Sequence, residues 1–413
     1  MIYLMILTLV GGTLDLTLEQ ARRMAVENSY HYQEARAKLG KSKLTFAENL
    51  SYLLPTPQAG TSYAKTESGR SDTKAYEGNL TISQPVFDLP LFTQIRASRY
   101  QYSADRLGYQ RDVQDLLLKV EIAYVNLIRT QELLKSVELT VKRTKENERL
   151  TVEKFNLGAA SKLDRLQAEV FSLEAERDLS GARKSYLEAQ EDLRTYLQVR
   201  EDIIPVDSLS LAPADSLPPL DSLAAAIDDI NLGLKTVKQA RNVARLNMVT
   251  SYFKFLPRIS LFFRYGFSLD EMPENIDDLK ANDTQSYGVN IDLPLFNIKD
   301  LYFANRQASA NYRYQKYVFL RTLAQARQAL TTTYLAIDEV KDRVRLSEKS
   351  LELALEAANI AKERYRLGAA SIIDLLTAEE SLYKARVNYI SALADSRIEN
   401  TKLGYFLGTL EVE

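Results

Sequence analysis

The sequence predicts a mainly helical chain with a β-sheet contribution, laid out as two tandem repeats, each holding one β-hairpin and one very long helical hairpin. Three observations predict it. The segment from Lys154 to Glu169, centred on Gly158-Ala159-Ala160-Ser161, returns about 210 positions later as Arg364 to Glu379, centred on Gly368-Ala369-Ala370-Ser371. Apolar residues at three- and four-residue steps run for long distances on both sides of each copy. Upstream of each, two stretches alternate apolar and polar residues with period two, the mark of strands.

The repeated segment is a helix turn written in the sequence. Gly158 and Gly368 can adopt the left-handed conformation that ends a helix without steric cost. Ser161 with Asp164, and Ser371 with Asp374, read as capping boxes that start the next helix. The return helices extend from Ser161 to about Leu197 and from Ser371 to about Leu407. The outgoing helices carry Leu116, Leu117, Val120 and Leu127 in one half and Leu323, Leu330, Ile337 and Val344 in the other. Each pattern runs for about 60 residues, a rod of about 90–100 Å at helical rise.

Taken in order, the organisation is as follows. Residues 1–13 hold the apolar run Ile2 to Val10 and the small residues Gly11-Gly12-Thr13. They read as a signal remnant, or as a short apolar N-terminus, since no basic residue precedes the run. Residues 14–202 form the first repeat: a helix from Thr17 to about Leu50, a β-hairpin at about 57–87 with a polar loop near Lys65 to Ala75, then the helical hairpin with its tip at 158–161. Residues 203–221, rich in Pro, Ser, Asp and Leu, read as a crossover anchored by Leu209, Leu211, Leu217 and Leu220. Residues 222–413 repeat the plan, with a helix to about Thr250, a β-hairpin at about 257–296 and the tip at 368–371. Pro55 and Pro257 stop the two opening helices.

Composition excludes several classes of function. The chain has 413 residues, a net charge of −2, one His and no Cys. Nothing calls for nucleic acid, a zinc or copper centre, a thiol nucleophile or a disulfide. No nucleophile stands beside a base and no glycine-rich loop could cradle a nucleotide, so neither an enzyme nor a cofactor is expected. No apolar run approaches the length of a membrane-spanning helix. A membrane could be crossed only by a closed barrel. The strands are about ten residues long, apolar on one face and polar on the other, which fits lipid outside and water inside. The same alternation serves a soluble sheet. Four strands cannot close a membrane barrel, so either the sheet is soluble or several chains each donate four strands.

The order helix, strand pair, long helix, Gly-x-x-Ser-x-x-Asp tip and return helix, twice over, resembles the TolC-like outer membrane efflux protein family. The resemblance covers nearly the whole chain. It rests on Leu16-Thr17-Leu18-Glu19-Gln20-Ala21, the Leu54-Pro55 and Leu256-Pro257 helix exits, the strand ends Pro85-Val86-Phe87 and Pro294-Leu295-Phe296, and the two tips. It implies a homotrimer with a twelve-stranded barrel in the bacterial outer membrane and an α-helical periplasmic tunnel. Such a duct works with a periplasmic adaptor protein and an inner-membrane transporter. The resemblance also implies roles for individual residues. Gly158, Ala159, Ala160 and Ser161, with Gly368, Ala369, Ala370 and Ser371, would dock the adaptor. Asp164 and Tyr365 would hold the periplasmic mouth closed, and Asp374 would line its aperture. Thr377 stands where relatives often carry a second acid, and Ala370 where some are basic. A protein-secretion duct of the same family, or a soluble coiled-coil scaffold, are the alternatives.

Overall fold

The computed structural model describes residues 12–68, 71–210, 218–271, 283–293 and 298–410. The apolar run Ile2 to Val10, Leu211, Leu217 and Pro294-Leu295-Phe296 lie outside them. In chain order the elements are β1 (Thr13–Leu16), α1 (Leu18–Asn28), α2 (Tyr30–Ser51), β2 (Thr56–Ser68), β3 (Ser71–Phe87), α3 (Leu89–Asn156) and α4 (Lys162–Leu197). They continue with β4 (Asp202–Pro205), α5 (Leu220–Ile230), α6 (Leu232–Phe253), β5 (Arg258–Leu269), β6 (Asp283–Asp292), α7 (Ile298–Arg366) and α8 (Ile372–Phe406). The chain divides into two compact units. One comprises Arg36–Tyr109 and Leu232–Ala324, the other the remainder. Among the described residues no helix is long and apolar enough to cross a membrane.

The unit with Arg36–Tyr109 and Leu232–Ala324 contains a four-stranded antiparallel sheet in the order β2-β3-β5-β6. The opening helices reach it through matching tight turns. Leu54 N–H donates to Ser51 O at 2.9 Å and Leu256 N–H to Phe253 O at 3.0 Å, just before Pro55 and Pro257. Pro85 has no N–H for an interior strand, and β3 accommodates it with a register shift between Pro85 and Phe87. Gly78 faces Phe267, whose ring would lie 2.4 Å from an added Cβ, so only glycine fits beneath it. The apolar face carries Leu80, Leu261, Phe263, Tyr287, Val289 and Ile291, all exposed, with Tyr287 at 84%. Among the described residues nothing covers these side chains.

Strands β2 and β3 stay paired as far as Ser68 and Ser71, straight through the polar loop expected at Lys65 to Ala75. The residues there are polar on both faces, so alternation could not mark them. Backbone pairing extends the strands all the same.

The other unit is helical and is organised around Leu16, Ala21, Ala25, Leu116, Tyr124 and Leu193. Two sequence expectations need correcting here. First, the opening helix is not continuous from Thr17. It breaks at Ser29, whose extended backbone (ψ 127) separates α1 from α2, and Asn231 does the same (ψ 119) between α5 and α6. The cause is a tertiary cap. Asn28 Nδ2 donates to Leu197 O, the end of α4, and Asn231 Nδ2 to Phe406 O, the end of α8, each at 3.4 Å. Secondly, residues 203–205, read as the start of the crossover, are a strand, and so are 14–16. They form β4 and β1, paired in parallel from Leu14↔Ile203 to Leu16↔Pro205, because Ile203 and Leu16 bury their side chains in the core.

Asp207 ties this segment down. Its carboxylate accepts from Leu18 N–H at 2.9 Å at the start of α1, where the helix dipole favours a negative charge. It also lies 2.8 Å from the hydroxyl of buried Tyr124, which in turn reaches Leu16 O at 2.7 Å. Burial and the neighbouring carboxylate push the Tyr124 hydroxyl well above its ordinary pKa, so it remains a donor. Tyr124→Phe should cost about 2 kcal/mol, the loss of a bond to a charged acceptor. Circular dichroism melts of the detergent-solubilised protein would record this as a lower Tm. An unchanged midpoint would mean the strap is held by apolar contacts alone.

Candidate functional site at the hairpin tips

Both tips are the same backbone object. Gly158 has φ +76 and Gly368 φ +77. Ala159 N–H donates to Lys154 O and Ala369 N–H to Arg364 O, both at 2.8 Å, while Gly158 and Gly368 donate to Phe155 O and Tyr365 O. These are the paired bonds of a Schellman ending. Ser161 and Ser371 then cap α4 and α8, with Asp164 and Asp374 completing a capping box in each. Gly158, Ala159, Ser161, Gly368, Ala369 and Ser371 are exposed, and Ala160 and Ala370 are half-buried.

Asp374 is exposed and Asp164 half-buried. Asp374 accepts from Ser371 N–H at 3.0 Å and Ser371 Oγ at 2.8 Å, and these bonds hold its carboxyl below its ordinary pKa. The carboxylate is thus charged and open to solvent, while its other oxygen remains available. Asp164 accepts from Ser161 N–H at 2.8 Å.

Tyr365 has a different setting, at 5% exposure among Ala168, Ile372 and Leu375. Its hydroxyl lies 2.8 Å from Thr151 Oγ1. The Thr151 proton is committed to Asn147 O at 2.8 Å, so the phenol is the donor. Lys154 sits over the Tyr365 ring, its ammonium 4.2 Å from the centroid, and donates to Tyr365 O. Burial, with a smaller contribution from Asp164, raises the Tyr365 pKa. Asp164 is therefore an electrostatic neighbour of Tyr365, and the hydroxyl's partner is Thr151. Through Thr151 and Lys154 on α3, Tyr365 on α7 joins the two helical hairpins.

A second junction was not evident from the sequence. Glu379, at 3% exposure, accepts from Arg143 Nη1 through both oxygens at 3.3 and 3.2 Å. Arg386 also feels it. Burial, then the Arg143 charge, lower the Arg386 pKa, and Glu379 opposes the shift. One buried carboxylate thus offsets two guanidinium groups. Its counterpart in the first repeat, Glu169, is exposed. The repeated Ala-Glu dipeptide was the available signal, but it does not say which copy faces inward.

The tips also expose apolar side chains. Leu163, Leu166, Val170 and Leu173 follow the three- and four-residue steps of a coiled-coil seam along α4, and all are exposed. With Ile373 and Leu376 of α8, the first three line an open trough of about 500 Å³.

Comparison with known proteins agrees with this architecture. The profile of the family described as "Outer membrane efflux protein" matches residues 21–198 and 229–409. The alkaline protease secretion protein AprF of Pseudomonas aeruginosa is 23% identical over 351 residues, which is 82% of this chain and 71% of that one. The outer membrane protein TolC of Vibrio cholerae is 22% identical over 413 residues, 95% of this chain and 91% of its own. The crystal structure of the Campylobacter jejuni CmeC outer membrane channel shares the fold with a TM-score of 0.82 at 20% identity, covering 96% of this chain and 86% of that one. With most of its length matched by that profile, the chain belongs to the outer membrane efflux protein family, channel proteins of the bacterial outer membrane.

Proposed function

We propose that the chain is the exit duct of a tripartite efflux system: a passive homotrimer whose three sheets close a twelve-stranded barrel and whose helical hairpins form a periplasmic tunnel. The observation that carries this reading is the sheet. Its apolar face is exposed, and among the described residues strands β2 and β6 each have one edge with no partner. Adjacent strands alternate in direction from β2 to β6, so β6 of one copy can pair antiparallel with β2 of the next. That contact is head-to-tail and closes into a ring. The exposed apolar face and the family both argue against a soluble scaffold. Transport of a protein cargo is a second reading, favoured by the similarity to AprF.

The two Gly-Ala-Ala-Ser tips suit an adaptor's helical hairpin, because small side chains let another helix turn approach closely. The exposed seam from Leu163 to Leu173 supplies apolar area beside them. Asp374, repeated three times, would set a negative field at the aperture that favours cations. The junctions of Tyr365 with Thr151 and Lys154, and of Glu379 with Arg143, would hold the hairpins together in the closed mouth.

Sedimentation of the detergent-solubilised protein should give the mass of three chains, and planar bilayers should record discrete channels. A monomer without conductance would defeat the duct reading. Asp374→Ala should lower cation selectivity. In the wild type that selectivity should persist as pH falls to the ordinary carboxyl pKa and vanish only below it, because the folded-state pKa is lowered. The cap's contribution to stability follows the same course: complete above the ordinary value, lost as pH falls through the lowered one. Glu379→Gln leaves Arg143 and Arg386 facing each other without a counter-charge. It should destabilise the helical unit by about 2 kcal/mol, below the fully buried range because Arg143 keeps contact with water, and should raise single-channel conductance. Equal Tm and conductance would assign the pair neither role.

A further inference from the structure

The polar face of the sheet, which lines the lumen if three copies close the barrel, holds a charge that the duct reading does not use. Along β5 this face presents Ser260, Phe262, Arg264 and Gly266, and the cross-strand register continues each as a row over β3 and β6, and in most cases β2. Beside Phe262 and Arg264, the four rows contain only Ser, Thr, Asn, Gln, Gly and Pro. Arg264 is the single ionisable side chain in them. The nearest charge on the face towards the end of β5 is Glu77, opposite Ser268 and itself 3.3 Å from Ser62 Oγ. Four residues of strand separate the two rows, about 13 Å, beyond the screening length at physiological salt. In the other direction Arg258 lies opposite Asp292. Among the described residues the Arg264 charge therefore has no carboxylate on this face within that distance.

Its neighbours position it against the wall. Arg264 Nε is 3.4 Å from Thr81 Oγ1, across to β3. Its guanidinium carbon lies 6.0 Å from the centre of the Phe262 ring. Phe262 leans the other way, over Gly288 of β6, where an added Cβ would stand 3.2 Å from the ring. Gly288 thus makes room for an aromatic ring to lie along the strand surface. The one aromatic side chain in these four rows sits two residues from their one cation. A guanidinium with free N–H groups next to an apolar ring is the pairing that holds an aromatic carboxylate: the cation meets the anion and the ring stacks on the rest.

We propose that Arg264 and Phe262, repeated three times, form an anion-attracting belt inside the barrel that favours organic anions with aromatic character. This rests on the trimeric barrel proposed above. A charged lumen side chain tunes selectivity without disturbing the lipid-facing wall, so the barrel should tolerate its replacement.

The test is the reversal potential of the full-length protein in planar bilayers, under gradients of potassium chloride and of potassium benzoate. Measurement in the Asp374→Ala background keeps the aperture carboxylates from masking the belt. Arg264→Gln should lower the chloride-to-potassium permeability ratio about threefold at low salt, with the difference shrinking as salt rises. Arg264→Lys should retain the chloride ratio. Phe262→Leu should leave chloride unchanged and lower the benzoate-to-chloride ratio. If Arg264→Gln forms conducting trimers with an unaltered reversal potential, the belt does not exist. If the parent protein gives no trimer and no channel, the barrel reading fails and the belt falls with it. An Arg264→Gln protein that assembles poorly while Arg264→Lys reproduces the parent in both assembly and ion preference still supports a requirement for the cation. Loss of chloride preference in an assembled Arg264→Lys channel would overturn it.

Discussion

Every backbone N–H and C=O that enters lipid must find a partner within the protein, since each orphan costs several kcal/mol in hydrocarbon. The four-stranded sheet meets that demand between its strands and fails it at the outer edges of β2 and β6. Four strands are too few to curl round and pair with each other. The same sheet exposes a face of Leu, Ile, Val, Phe and Tyr that water would penalise. The assembly proposed above, further copies of the chain surrounded by lipid, would remedy both. Details of the strands follow from it. Pro85 sits at a register shift, where a missing donor does least harm, and Gly78 leaves room for the Phe267 ring on the neighbouring strand.

Much of this could be read from the sequence because it is local. Period-two alternation located the strand from Arg258 to Leu269 and, of the strand from Asp283 to Asp292, the part from Ser286 onward. Gly158 with Ser161, and Gly368 with Ser371, located the turns to the residue, since a left-handed glycine and a capping serine act within a few positions of themselves. The misses were non-local. Ser29 breaks a helix that its own sequence would continue, because Asn28 turns to cap Leu197, 169 positions away. Ile203 became a strand because Leu14 was beside it. Glu379 is buried and Glu169 is not, although each follows an alanine in the same repeated segment. Which copy meets Arg143 is a property of the packed hairpins, separated by 236 positions.

The two tips show how far a repeat can diverge without changing its fold. Their backbones agree in every cap and turn, so the constraint on them is conformational. Their flanks differ. Tyr365 is buried and bonded to Thr151, whereas Phe155, at the matching position, has no hydroxyl and is only half-buried, with Arg165 over its ring. A phenol at one copy and a phenyl at the other allows one hydrogen bond across the hairpins in place of two. Beside that bond and the apolar contacts of Tyr365 with Ala168, the junction carries Lys154 and the Arg143–Glu379 pair, interactions that depend on charge.

A duct that performs no chemistry can discriminate only through width and field, and this chain supplies fields of both signs. Asp374 is exposed in the helical unit and kept ionised by its cap, while Arg264 stands uncancelled in the sheet unit. Screening confines each to its own neighbourhood, about 8 Å at physiological salt. In the duct proposed above, each would act on an ion passing within that distance of it. In that duct a larger organic anion would spend longer than a small inorganic ion beside a guanidinium and an aromatic ring. Selectivity for salt and preference for cargo would then be separable properties, carried by different residues in different units.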